Sequence, residues 1–89
     1  MKAIVLYVLK GDNGKRYVGI TNNLTRRIGE HTRKETKGGQ ILGEEFKLLL
    51  TETYPDYKTA REREKFLKSG QGRKLLSELE NKTRIAKGD

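Results

Sequence analysis

The chain of 89 residues contains no cysteine and no tryptophan, one proline and one histidine. The lack of cysteine excludes disulfides, thiolate metal sites and cysteine nucleophiles. A single histidine, His31, cannot build a zinc site from several imidazoles. No apolar run approaches the roughly 18 residues that span a membrane, and no small-residue cleavage site follows residues 3–9. We therefore expect a reduced, cytoplasmic protein whose first apolar run is a strand.

Positive charge is in excess, with 20 basic and 12 acidic residues, a net charge of +8 and a pI near 9.9. The excess lies in two segments: residues 26–37 carry a net charge of +3 and residues 58–74 a net charge of +5. A small basic domain usually binds a polyanion, most often nucleic acid. Solubility alone would also explain a positive charge, but its clustering favours a binding face.

The pattern of apolar residues and turn residues predicts one α+β domain over residues 1–80 and a polar, frayed tail over residues 81–89. We expect a small three-stranded antiparallel sheet flanked by about three helices, in the order β-β-α-β-α-α. The predicted strands cover residues 4–10, 15–20 and 45–53, and the predicted helices cover residues 24–34, 57–69 and 73–82. Residues 35–43, rich in glycine, predict a flexible loop, and the glycines at 70 and 72 predict the end of the second helix.

The first two strands should form a hairpin whose register follows from its loop. A three-residue loop, Asp12-Asn13-Gly14, pairs residue 11 with residue 15, and Gly14 supplies the left-handed conformation that such a loop requires. This register places Tyr17 opposite Leu9 and Tyr7 opposite Gly19, so both tyrosines share one face of the sheet. A two-residue turn would instead send them to opposite faces.

Inward-facing stripes predict what each later element buries. On the first helix, Leu24, Ile28 and His31 fall on one stripe with Arg27 at its edge, whereas Arg26 points away. The third strand should turn one face inward through Phe46, Leu48 and Leu50. The second helix should bury Tyr57, Ala60, Glu64 and Leu67.

Two charged residues stand out on these stripes. A carboxylate such as Glu64 on an inward face is costly unless it is paired or binds a metal, and a salt bridge to Arg27 or Lys68 would be the ordinary explanation. Arg27 alone could simply cover the core with its stem. Phosphodiester hydrolysis needs groups that orient water and stabilise negative charge. The combination of two phenols, a guanidinium and a carboxylate directed at one region would supply them, and it favours a catalytic role over these ordinary explanations.

The same residues carry a family resemblance. Val5-Leu6-Tyr7, Tyr17-Val18-Gly19, then Arg27 ten positions after Tyr17, and Glu64 resemble the motifs of the GIY-YIG nuclease family, over roughly residues 4–80. The chain looks closest to small stand-alone members related to the nuclease domain of a DNA-repair excinuclease, which implies a role in DNA repair. Val5, Leu6 and Val18 depart from the name-giving motif, but both tyrosines are present.

The resemblance implies a role for each matched residue. Glu64 resembles the carboxylate that binds one divalent metal, Mg²⁺ or Mn²⁺, and Arg27 resembles the arginine that stabilises the transition state. Tyr7 and Tyr17 resemble the pair that positions and activates water. We favour Tyr17 as the base, but the sequence leaves open the reverse assignment or activation of water by the metal itself. His31 resembles a ring that hydrogen-bonds in the site, although an ordinary satisfied histidine is an equal alternative.

We therefore expect a metal-dependent endonuclease that hydrolyses phosphodiester bonds in nucleic acid, DNA first, with low sequence specificity supplied by shape or a partner protein. A non-catalytic nucleic-acid-binding module and a basic assembly protein are the competing hypotheses. Binding should weaken steeply with salt. Phosphate contacts are expected from the basic residues Arg26, Arg33, Lys34, Lys37, Lys65, Lys68, Arg73 and Lys74.

Overall fold

The computed structural model describes the backbone of residues 3–88 and the side chains of residues 3–81. Within that range the α+β prediction is confirmed: a three-stranded antiparallel sheet of order β2-β1-β3 is flanked by helices. No helix in these residues is both long and apolar enough to cross a bilayer. The strands and helices are β1 (Ile4–Gly11), β2 (Arg16–Thr21), α1 (Leu24–Thr32), α2 (Lys37–Ile41), β3 (Phe46–Tyr54), α3 (Tyr57–Lys68) and α4 (Gly70–Gly88).

The hairpin of β1 and β2 has the predicted register. Leu9 pairs with Tyr17 and Tyr7 pairs with Gly19, and Gly14 adopts a φ of 86° at the end of the three-residue loop. The Gly11 amide donates to the Lys15 carbonyl at 2.8 Å and closes the turn. Both tyrosines therefore lie on the same face of the sheet.

The central strand β1 is covered on both sides, as its continuous apolar run predicts. One face, with Leu6 and Val8, packs against Leu67 of α3 and Leu76 of α4. The other face, with Tyr7 and Leu9, packs against Leu42 and the residues of α1, where Leu24 and Ile28 are partly buried. The sheet thus separates two small cores, one beneath α3 and α4 and one beneath α1.

The predicted inner face of β3 is wrong in part. A bulge interrupts its pairing with β1, because Val8 pairs with Leu50 whereas the next residue of β1 pairs with Leu48. The extra residue, Leu49, changes which side chains turn inward. As a result Phe46 and Leu50 pack in different cores, and Leu48 is 48% exposed.

The region predicted to be a flexible loop contains the short helix α2, which makes four helices within residues 3–88. Thr36 caps it by accepting a hydrogen bond from the Gly39 amide. Lys34, at a φ of 62°, extends its ammonium group to the carbonyls of Gly39 and Gly43. Local capping and this lysine therefore order a glycine-rich segment whose sequence predicts flexibility.

Ser69, rather than the glycines after it, separates α3 from α4. Its hydroxyl accepts from the Gly72 amide at 3.3 Å and its carbonyl accepts from the Arg73 amide at 2.9 Å, so α4 already begins at Gly70. A Cβ on Gly72 would overlap the Phe66 carbonyl oxygen, so this glycine allows the two helices to meet closely. The prediction that glycine ends α3 and that the last helix begins at residue 73 is wrong.

The inner stripe of α3 is confirmed at Ala60 and Leu67, which are buried, and is wrong at Tyr57, which is 45% exposed. Tyr57 is the first residue of the helix and lies at its end rather than over the sheet. The last helix continues to Gly88 instead of ending at residue 82 as predicted. The predicted fraying of residues 81–89 lies almost entirely outside the residues whose side chains the structure describes, and stays a prediction.

Gly19 should be intolerant of any side chain. A Cβ there would lie 2.5 Å from the Tyr7 hydroxyl oxygen, and Tyr7 is fully buried and cannot move aside cheaply. We expect Gly19→Ala to lower the free energy of unfolding by about 1–3 kcal/mol, the usual effect of overpacking a core. Urea denaturation followed by circular dichroism measures this.

Gly29→Ala is the matched control within α1, where the nearest atom to a new Cβ is the flexible Arg33 guanidinium at 3.3 Å. Alanine is favoured over glycine inside a helix by up to about 1 kcal/mol. We expect this control to be neutral or stabilising. Equal stability of Gly19→Ala and the unsubstituted protein would contradict the packing argument.

Candidate active site

The centre of the site is a buried pair formed by a phenol and an imidazole. β1 directs Tyr7 toward α1, and both Tyr7 and His31 are fully buried. The Tyr7 Oη atom lies 2.8 Å from His31 Nε2, and the Thr36 hydroxyl hydrogen-bonds to the other ring nitrogen, Nδ1. Both nitrogens therefore have partners, so His31 is both a satisfied core residue and a neighbour of the first tyrosine.

Tyr17 completes an aromatic cluster with these two rings. Its ring centroid lies 6.2 Å from that of Tyr7 and 5.1 Å from that of His31, where the contact is edge-on. A Cβ on Gly38 would lie 2.9 Å from two carbons of the Tyr17 ring, so the backbone of α2 packs directly against it. Tyr17 is only partly buried, and it is the member of the cluster that borders an open cavity.

Arg27 lies at the rim of this cluster, as its position at the edge of the α1 stripe predicts. Its guanidinium pairs with Glu30 at 3.0 Å and its side chain is 37% exposed. Glu30 also lies 3.8 Å from Arg26, whose side chain is 61% exposed and points away from the core. Glu30 thus holds Arg27 in place while leaving it open to a ligand.

Burial sets the protonation of the two central groups. Burial raises the pKa of Tyr7 to about 12, a shift that a hydrogen bond from Arg27 partly opposes and that the negative charge of Glu64 reinforces. Burial, followed by the positive charge of Arg27, lowers the pKa of His31 below its ordinary value. At neutral pH Tyr7 is therefore a protonated phenol and His31 a neutral imidazole.

Glu64 comes from α3, which contacts the edge strand β2 as well as β1. Its side chain is 19% exposed and its Oε2 atom lies 3.2 Å from the Lys68 ammonium, so the ordinary salt bridge to Lys68 is present. Its negative charge also contributes to raising the pKa of Tyr7.

A divalent metal would find one carboxylate at this position. In the described part of the chain, no three or more histidine, aspartate or glutamate side chains lie close enough together to hold a metal ion. Mg²⁺ is commonly held by one or two carboxylates, with water and substrate phosphates as the remaining ligands. The donor set at Glu64 fits that arrangement, provided that Lys68 yields its contact.

The predicted phosphate-binding residues differ in how free their charges are. Arg33 pairs with Glu35 at 2.7 Å, and the ammonium of Lys34 is directed to backbone carbonyls of its own loop. These two residues have structural partners, and Lys34 holds the loop rather than facing outward. Apart from Lys34, every member of the set is exposed, and Arg26 and Lys68 also lie near carboxylates, those of Glu30 and Glu64. The exposed members are Arg26, Arg33, Lys37, Lys65, Lys68, Arg73 and Lys74.

An open cavity of about 530 Å³ lies beside Tyr17. Two cations that line it, Lys15 and Arg16, are absent from the residues predicted to bind phosphate. In sequence they are the ordinary first residues of a strand, and only the packing of β2 beside α4 brings them near Arg73. The adjacency of Lys15 and Arg16 to Tyr17 was the one sequence feature that could have indicated them.

Comparisons with known proteins identify relatives of this chain. One relative is the UPF0213 protein in the VLF1-GP41 intergenic region of Autographa californica nuclear polyhedrosis virus. It is 41% identical over 70 residues, which are 75% of this chain and 65% of that protein. This chain thus spans just under two thirds of that relative's length. The UPF0213 protein ORF82 of Orgyia pseudotsugata multicapsid polyhedrosis virus is 36% identical over 75 residues, 81% of this chain and 70% of that protein.

A solved structure shares the fold. The solution NMR structure of a UPF0213 protein from Bacillus halodurans matches with a TM-score of 0.54 and 26% identity, covering 86% of this chain and 84% of that one. The model of the GIY-YIG catalytic domain matches residues 3–77, which include both tyrosines, Arg27 and Glu64. The chain therefore belongs to the GIY-YIG catalytic domain family, a family of nucleases that process nucleic acid.

Proposed function

We propose that this protein is a divalent-metal-dependent endonuclease that hydrolyses phosphodiester bonds in DNA with low sequence specificity. The observation that carries the proposal is the convergence of Tyr7, Tyr17 and His31 in one aromatic cluster with Arg27 at its rim. This cluster offers the partly exposed Tyr17 hydroxyl and the fixed positive charge of Arg27 to one phosphate. Glu64 adds a carboxylate nearby.

Tyr17 is our candidate for the group that contacts and activates the attacking water. It is the tyrosine of the pair that is partly exposed and borders the cavity. A general base must reach the water whose proton it accepts. The contact of Tyr17 with Gly38 on the backbone of α2 would keep its ring in place while the hydroxyl group does this.

Tyr7 then acts as a hydrogen-bond donor that fixes the geometry. With its pKa raised to about 12 by burial, it stays protonated at working pH. We assign its proton to the bond with His31 Nε2, which requires the neutral tautomer that carries its hydrogen on Nδ1. That hydrogen points to the Thr36 hydroxyl, which accepts it while also accepting from the Gly39 amide.

Arg27 would stabilise the negative charge that builds up on the phosphate as water attacks. Its guanidinium cannot lose its proton in water, and its fork geometry matches two phosphate oxygens. Glu30 fixes its orientation at 3.0 Å, so little reorganisation is needed when substrate binds. Removing such a preorganised donor typically costs a factor of about 10²–10³ in rate.

Glu64 would hold the metal ion together with water and the substrate. A bound Mg²⁺ or Mn²⁺ would neutralise charge on the phosphate and on the leaving oxygen. Lys68, now 3.2 Å from Glu64, would turn to a phosphate oxygen when its partner binds the cation. Both charges then stay paired in the complex.

Low sequence specificity is expected of a site that binds its substrate mainly through phosphates. Contacts from exposed lysine and arginine side chains to phosphate oxygens carry no sequence information. Selection of a cut site would therefore rest on the shape of the nucleic acid or on a partner protein. Mapped cut sites with a sharp consensus would contradict this part of the proposal.

Removing the Glu64 carboxylate should abolish metal-dependent cleavage. We expect the unsubstituted protein to nick supercoiled plasmid with Mg²⁺ or Mn²⁺ and to be inactive in a chelator, and Glu64→Gln to reduce nicking at least about 10²-fold because its metal ligand is lost. Arg27→Gln should lose a similar factor. Agarose-gel assays of nicked plasmid measure both.

Glu62→Gln and Arg61→Gln are matched controls on α3, since both residues are exposed. They should nick at close to the unsubstituted rate, and thermal denaturation should show that all four variants fold. Salt-sensitive binding without nicking would instead favour a non-catalytic nucleic-acid-binding module. Nicking that Glu64→Gln retains would reject the placement of the metal.

Replacing either tyrosine by phenylalanine should lower the rate, for a different reason in each case. Tyr17→Phe removes the proposed base and should reduce the rate by about 10²–10⁴-fold. Tyr7 stays protonated at pH values well below its pKa of about 12. Because burial lowers the pKa of His31 from the ordinary histidine value of 6.5, this ring is neutral above pH 7. Between pH 7 and 9 we therefore expect Tyr7→Phe to lower the rate by one constant factor.

Single-turnover rates across this pH range provide the measurement. Tyr57→Phe, a change at an exposed tyrosine outside the cluster, is the matched control and should have no effect. If the deficit of Tyr7→Phe grows steadily as pH rises, Tyr7 ionises during the reaction and the two roles must be exchanged.

A further inference from the structure

The open cavity beside Tyr17 is lined by apolar side chains at its base. It lies between the end of the β1–β2 hairpin and the helices α3 and α4, and its volume is about 530 Å³. Pockets that bind small ligands in proteins usually measure about 300–1,000 Å³. Three of the apolar side chains, Val18, Leu67 and Leu76, are buried residues of the core. A fourth, Ile41, is 42% exposed and lies at the mouth of the cavity.

The polar lining of this cavity is positively charged. Lys15 and Arg16 border it on the hairpin side, and Lys68 and Arg73 border it on the helix side, while none of the described lining residues is acidic. Arg16 also donates to the Ser77 hydroxyl at 3.1 Å, which ties β2 to α4 and fixes the width of the opening. The cavity thus combines an apolar floor with a cationic rim.

The cavity is continuous with the proposed catalytic centre. Tyr17 belongs both to the cavity wall and to the aromatic cluster. Lys68 borders the cavity and pairs with Glu64 at 3.2 Å. A group that fills the cavity therefore lies next to any phosphate bound at Tyr17 and Glu64.

A regular double helix does not complement this shape. Its outer surface consists of sugars and phosphates, and the faces of its bases are covered by stacking. Apolar floors are covered by bases only when these are unpaired, either in a single strand or after rotation out of the helix. Four cations around the opening supply the charge that the flanking phosphates of such a nucleotide need.

We propose that this cavity binds an unpaired nucleotide adjacent to the scissile phosphate, so that the enzyme prefers nucleic acid that is single-stranded or locally unpaired. The inference rests on the proposed nuclease function and narrows it to a substrate class. The base lies on the apolar floor beside Tyr17, and its flanking phosphates contact Lys15 and Arg73. Structure in the substrate, rather than sequence, then selects the position of the cut.

The test compares three DNA probes that share one sequence and bind the full 89-residue chain in a chelator, where no cleavage occurs. One is a perfect duplex, one has a single unpaired 2-aminopurine nucleotide, and one has an abasic site in place of that base. We expect the unpaired probe to bind about tenfold tighter than the duplex, as stacking of one base allows. The abasic probe should lose most of that gain.

Variants at the cavity mouth locate the binding site. Ile41→Ala should reduce the preference for the unpaired probe at least about threefold, and Arg73→Gln should weaken binding of all three probes because a phosphate contact is lost. The matched controls lie on β3, where Leu48 is also an exposed large apolar residue and Lys47 an exposed cation. Leu48→Ala should leave the preference unchanged, and Lys47→Gln should leave the affinity for all three probes unchanged.

The outcomes separate the two proposals. Metal-dependent cleavage with equal affinity for duplex and unpaired DNA, or a preference that Ile41→Ala does not change, would overturn the cavity assignment and leave the nuclease standing. An Ile41-dependent preference without any cleavage would support the cavity as a binding site and reject the nuclease. Lack of binding to every probe would also overturn the cavity assignment.

Discussion

The contact between the Tyr7 phenol and the His31 ring is the interaction on which the rest of the site depends. It joins the central strand to α1 across a distance of 2.8 Å inside a fully buried region. A buried polar pair is costly unless every group is satisfied, and here Thr36 satisfies the remaining nitrogen. The position of α1, and therefore of Arg27, follows from this pair.

Local sequence features predict one half of this arrangement well. The hairpin register depends only on loop length and on a glycine at its end, so the pairing of Tyr7 with Gly19 was predictable from residues 11–15 and is confirmed. The cap at Asn23 and the stripe of α1 are local in the same sense. The stripe of α3 singles out Glu64 as an inward-facing carboxylate, and the family resemblance adds its expected role as a metal ligand.

Three features that the sequence does not predict depend on particular contacts, which are local in one case and join distant segments in the other two. The bulge at Leu49 arises from pairing with β1, and alternation within the strand alone points Leu48 inward. The helix α2 forms in a glycine-rich segment because Lys34 and Thr36 hold its backbone. The cationic cavity likewise exists only after Arg16 reaches Ser77 on α4, 61 residues later.

Gly38 brings main chain, rather than a side chain, against the Tyr17 and His31 rings, and Gly39 packs against the backbone of His31. This part of the site is consequently built from peptide groups, whose position depends on the contacts that Lys34 and Thr36 make in the same loop. The rim of the cavity, by contrast, is formed largely by exposed side chains that little packing constrains. In the proposed mechanism, exposed rim residues such as Lys15 and Arg73 are therefore the positions at which substrate selection could be altered while Tyr7, His31 and Arg27 stay as they are.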